Sequence, residues 1–237
     1  ARAAEADQFL QQFQRAQLAW DGASRLLGSV HAEVSLFGAC CLHRKARLEA
    51  VALRPPDALA LTARCLEALG GAGAPGPMRA QLALAAGLLS SRGLESPEGL
   101  SALPSFSALR PPLQVELLGA LPITWHHERL RSSVPSVLQL LASLAPPNLP
   151  APPSVATCVA AWQPLGVGLS DLGPLVPALA LALAPRASAT GELPAAADAD
   201  AASAAADALC GAVEVGGFPP SADATRLTHA LLATLAE

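Results

Sequence analysis

Proline and glycine clusters cut this chain into short apolar stretches, and those breaks constrain the fold more than any other feature. Arg54-Pro55-Pro56, the run Gly70-Gly71 to Gly76, Ala145-Pro146-Pro147 and Gly216-Gly217 to Pro220 each interrupt a segment long enough for one or two helices. Within the segments, Ala and Leu dominate, while Ile123 is the only isoleucine and tyrosine is absent. Ala and Leu favour helix, and the β-branched and aromatic residues that favour strands are scarce. The segments therefore read as helices.

Apolar spacing supports this. Phe9, Leu10, Phe13 and Leu18 form one stripe along residues 2–17, with glutamines elsewhere, as in an amphipathic helix. Further helices are expected at about Trp20–Leu27 and His31–Val51, the latter burying Val34, Phe37, Cys41 and Leu48. Pro55 and Pro56 are placed to open the next helix, with Leu59, Leu61, Leu66 and Leu69 on its apolar side. Helices follow at 77–92, weakly at 97–109 around Pro104, then at Leu113–Leu121, Leu130–Leu144, 154–163, 173–184, 193–214 and 221–236. Residues 146–153 form a proline-rich connector. The pair period of about 40 residues predicts an all-α, HEAT/armadillo-like right-handed superhelical solenoid of antiparallel helix pairs. Residues 1–237 would form a single array of about six pairs. Trp20, Phe37, Trp125 and Trp162 are expected in the inter-helix core, with Trp162 the bulky anchor between the fifth and sixth pairs.

Charge and composition narrow the function. With 52% hydrophobic and 14% charged residues the chain has ample apolar surface to bury, unlike a disordered segment. A net charge of −4 gives no global attraction for nucleic acid or an anionic membrane. The one basic cluster, His43-Arg44-Lys45-Ala46-Arg47, lacks interleaved aromatics. Ala178–Ala184 is the longest uninterrupted apolar core in the Leu172–Ala184 stretch, far below the roughly 20 residues a spanning helix needs. Five cysteines without CxxC spacing suggest small buried hydrophobes rather than a disulfide framework or zinc site.

No catalytic or cofactor constellation stands out. Adjacent His126 and His127 point about 100° apart on a helix and have no ligand pair at i+4, so a polar turn after Trp125 is the simpler reading. Gly166-Val167-Gly168-Leu169-Ser170 lacks a nucleophile between its glycines, and Gly70-Gly71-Ala72-Gly73 follows no strand and precedes no GK[ST]. An enzyme is not expected, nor are metals or cofactors.

Five passages taken in order carry a family resemblance. Ala4–Gln14 followed by Ala19-Trp20 resembles the opening helix and the "AW" of the karyopherin-β (importin-β) family, in its transportin-3 and importin-13 branch. Phe37–Lys45 resembles the family's "FAAQTL" helix, Arg79–Ala85 its "QL.LA" helix, Gln114–Pro122 its "LELLTVLP" segment and Cys158–Val167 its "CL.SWL.LGV" segment. Pro164, and Ile123-Thr124 in place of an acidic pair, depart from the pattern. The resemblance implies an N-terminal fragment of a longer nuclear transport receptor, present in nucleus and cytoplasm. Such a receptor binds RanGTP, protein cargo and nucleoporins, and neither binds nucleic acid directly nor inserts into membranes. It further implies a Ran-type GTPase site on the inner helices 2–17, 31–50 and 77–92, with Gln14, Arg44, Lys45, Arg47 and Gln81 as candidate contacts. Adjacent positions diverge by about 100°, so Arg44 and Arg47 share a side while Lys45 turns away. The alternative is a karyopherin-like scaffold subunit of a larger complex with no transport role.

Overall fold

A computed structural model describes residues 2–71, 74–145, 150–183 and 196–216. Helix accounts for 80% of the described residues, and none of them is in a strand. The chain divides into two compact units, Ala1–His126 and His127–Glu237.

The first unit holds α1 (Arg2–Arg15), α2 (Ala19–Leu26), α3 (Ala32–Glu49), α4 (Pro55–Gly70), α5 (Gly76–Gly93), the short α6 (Pro104–Ser107) and α7 (Pro111–Thr124). Prolines sit where their missing N–H and fixed φ cost least, in the first turn of α4, α5, α6 and α7. Pro104 thus divides the weak 97–109 segment, leaving a 3-10 turn at Pro97–Ala102 before α6. α2 packs on α3 and α4 on α5, while α3 also packs on α5 and α5 on α7. α1 lies against α3, and α4 against α6. Each helix is therefore covered by elements one or two places away in sequence, which are the contacts available when short connectors join successive helices.

The closest approach is between α2 and α3. At Gly38 an added Cβ would lie 2.9 Å from the Ala23 carbonyl oxygen and 2.9 Å from Leu26 Cβ, so only glycine permits this spacing. On the other side of α5, the Trp125 indole donates to Ser90 Oγ at 3.2 Å, and Ser90 donates to the Gly87 carbonyl. Ser90 and Trp125 are both buried, so this short chain of bonds satisfies polar atoms that burial would otherwise penalise.

The second unit holds α8 (His127–Arg131), α9 (Val134–Leu144), α10 (Pro153–Trp162), α11 (Val176–Leu183) and α12 (Ala196–Gly216). The expected single helix over Leu130–Leu144 is broken at Ser132-Ser133. Pro135 supplies the reason: its ring would clash with the carbonyl of Arg131, where α8 ends, and it has no N–H to donate there. α11 starts at Val176 rather than 173 because Pro177 fits only its first turn. α10 ends at Trp162, and a 3-10 turn through Pro164 closes on Gly166 at φ 91°, a left-handed conformation suited to glycine. α12 packs on α10 and α11. Gln163 helps to fix it, donating from Nε2 to the Ala208 carbonyl at 2.7 Å. Of the expected connector at 146–153, only its end is described, and there Ala151 N–H bonds the Ala178 carbonyl at 2.8 Å. The helix expected at 221–236 lies outside the described residues.

Trp20, Trp125 and Trp162 are buried, as expected of core anchors. Phe37 and Val34 are only half-buried, and Leu48, expected inside, is 68% exposed. In the last turn and a half of α3 the buried positions are Lys45 and Ala46, and Leu48, next to the last residue of the helix, is not among them.

The cysteines separate by burial. Cys65 and Cys158 are buried, and burial pushes each thiol up to about 12. Burial thus disfavours the thiolate, the reactive form, at both positions. Cys210 is exposed on α12. Iodoacetamide at pH 8 should therefore label Cys210 within minutes and leave Cys65 and Cys158 unmodified until denaturant is added. Mass spectrometry of the digested protein reads this directly, and labelling of Cys65 at the rate of Cys210 in the native state would contradict the packing of α4.

Candidate protein-binding face

α1, α3 and α5 are alternate helices of the first unit, and α3 touches both of the others. Their polar side chains meet across the two seams. At the first, Arg44 Nη1 donates to Gln14 Oε1 at 2.9 Å. At the second, His43 Nδ1 lies 2.6 Å from Gln81 Oε1, so the His43 tautomer with a proton on Nδ1 donates to the amide oxygen. Arg47 follows Arg44 by three residues in the last turn of α3 and is exposed. Arg44 is exposed too, whereas Gln14 and Gln81 are half-buried. The result is a polar strip across three helices, with two guanidinium groups at its surface.

Four of the five candidate residues thus lie on or beside this strip: Gln14, Arg44, Arg47 and Gln81. Lys45 takes a different place. It is 2% exposed, its ammonium lies 2.7 Å from Glu49 Oε2, and it stands over the Trp20 ring at 5.4 Å from the centroid. Its attractions are thus made inside the unit, to Glu49 on its own helix and to Trp20 of α2, about 100° around the helix from Arg44. The i,i+4 spacing of Lys45 and Glu49 was the available signal for this pair. His43, by contrast, carried no signal, because its partner is 38 residues away.

Beneath the strip lies Cys41. Burial raises its thiol, the Gln14 side chain opposes that by hydrogen bonding, the neighbouring Cys40 adds to the rise and Arg44 opposes it. Among the described residues no group of three or more His, Cys, Asp or Glu is placed to share a metal ion. His126, His127 and Glu128 are exposed, the last two opening α8. No described helix is long and apolar enough to cross a membrane.

Chemically, the strip offers hydrogen-bond donors and acceptors and two positive charges. Its arginines present forked donors that match carboxylates, and its amides add neutral donors and acceptors. No protein-family model matches this chain, and no curated protein matches it either.

Proposed function

We propose that this chain is the N-terminal helical-repeat region of a karyopherin-β-type nuclear transport receptor, wound as a HEAT-like solenoid, and that the α1–α3–α5 strip accepts RanGTP. In this reading the protein shuttles between nucleus and cytoplasm, carrying protein cargo past nucleoporins. The observation that carries it is that α3 meets Gln14 of α1 through Arg44 and Gln81 of α5 through His43, with the exposed Arg47 on the same helix. The order of the five sequence passages supports it as well. Packing confined to near neighbours is also what a repeat array requires.

Arg44 and Arg47 would form charge-assisted bonds to acidic side chains of the GTPase, with Gln81 and Gln14 giving neutral ones. Lys45 has no part in this contact. Arg44→Glu with Arg47→Glu should weaken binding of a GTP-locked Ran by more than tenfold and remove most of its salt dependence. Both residues are exposed, so the thermal midpoint should stay within a few degrees of wild type. Titration of the labelled GTPase at two salt concentrations measures both effects. Wild-type protein that binds Ran in neither nucleotide state would overturn the receptor reading and leave the scaffold role in its place. Tight binding indifferent to the double reversal would keep the receptor but move its contact site elsewhere.

A further inference from the structure

The face of α1 that carries its large apolar side chains is incompletely covered. Phe9 is 66% exposed, and Phe13 and Phe37 are half-buried with ring centroids 6.4 Å apart at an interplanar angle of 31°. Phe9, Leu10 and Phe13 of α1, Leu26 of α2, and Val34 and Phe37 of α3 line a groove of about 480 Å³. That volume accommodates roughly two or three aliphatic side chains. Among the described residues, the one charged residue lining it is Glu33, which is exposed one turn before Phe37. Glu5, also exposed, stands one turn before Phe9 on α1. Each wall therefore places a carboxylate just N-terminal to its aromatic residue.

We propose that this groove docks an amphipathic helix of a partner protein. That helix would carry apolar side chains at i, i+3 or i+4 and i+7, with a Lys or Arg within a turn of them facing Glu33 and Glu5. Two observations select this occupant. Both principal walls are helices whose backbone groups are already bonded internally, so they give an extended strand nothing to pair with. A helix satisfies its own backbone and needs only an apolar seat. The described charge lining the groove is the Glu33 carboxylate, which favours a basic flank on the helix and disfavours an acidic one. The inference is independent of Ran binding, since it uses neither Arg44 nor Arg47.

The test uses the full 237-residue chain and a fluorescein-labelled, 16-residue Leu/Lys amphipathic peptide, with a Leu/Glu peptide of the same apolar pattern beside it. Fluorescence anisotropy should show the Leu/Lys peptide binding at least tenfold more tightly than the Leu/Glu peptide. Phe9→Ser should weaken the Leu/Lys peptide at least fivefold, and Glu5→Lys with Glu33→Lys should reverse the preference between the two peptides. All three positions are exposed, so folding should persist in each variant, which circular dichroism verifies. Arg44→Glu with Arg47→Glu should leave the peptide's affinity undiminished, which separates this site from the Ran-binding strip. Equal affinity for the two peptides, or indifference to Phe9→Ser, would overturn the proposal. So would sedimentation showing a wild-type dimer that Phe9→Ser dissolves, because the groove would then belong to a second copy of the chain.

Discussion

Trp162→Ala should destabilise the His127–Glu237 unit by about 4 kcal/mol, the middle of the range for removal of a buried large aromatic side chain. Trp162 has 0% exposure and is the largest fully buried side chain of the protein. It closes α10, the helix that packs on both α9 and α12. The buried residues of α12 include Ala205, Ala208 and Ala212, which have no side-chain length with which to fill a vacated indole site. Val155, Ala156, Cys158 and Val159, the other buried positions of α10, are short as well. The cavity would therefore persist, and the cost of an unfilled void adds to the lost transfer energy. The thermal midpoint of this unit should fall on the order of 15 °C, and Trp162→Phe should recover about half of the loss. Calorimetry of the two variants measures this. A shift of only a few degrees for Trp162→Ala would mean that the indole is not the anchor of α10.

The second large effect concerns the buried ion pair of the first unit. Lys45 is buried at 2.7 Å from Glu49, whose side chain is 35% exposed, and the ammonium lies 5.4 Å from the Trp20 ring centroid. Removing Glu49 alone leaves an ammonium in the interior without its carboxylate. For a fully buried pair that costs about 3–5 kcal/mol, and the partial exposure of Glu49 reduces it to about 2 kcal/mol. Lys45→Met should cost much less, within about 1 kcal/mol, because it removes the charge but keeps the stem that packs beside Trp20. Lys45→Glu should be worst of all, placing two carboxylates together and an anion over the negative face of the indole. Urea midpoints should therefore fall in the order Lys45→Met, Glu49→Ala, Lys45→Glu. If Lys45→Met proved more damaging than Glu49→Ala, the pair would be a net source of stability rather than a burial cost met by pairing.

Helix content, most helix starts and the core tryptophans were legible in the sequence because they depend on local physics. Pro55 and Pro56 were read as opening α4 and do so, since proline tolerates few other helical positions, whereas the starts at Pro104, Pro111 and Pro153 follow the same rule but were not read from them. An indole is large enough that burial is its default among Ala-rich neighbours. The break at Ser132-Ser133 was equally local, but its cause, Pro135, acts one turn upstream of itself and was hidden inside a strong apolar rhythm.

Other features belong to tertiary structure alone. Leu48 and Lys45 lie three residues apart on one helix, yet Leu48 is 68% exposed and Lys45 is 2% exposed, the reverse of what hydropathy suggests. The choice depends on Trp20 and Glu49 offering a seat for the ammonium, and no reading of α3 by its apolar residues alone contains that information. The bonds from Arg44 to Gln14 and from His43 to Gln81 span 30 and 38 residues, so they exist only once α3 lies between α1 and α5. By itself the sequence determined where helices form and which of its large side chains seek the interior. Packing decided which face of α3 turns inward and which polar groups meet across its seams. Helix propensity acts within a turn or two, whereas contacts between helices depend on the whole surface each one presents to the others.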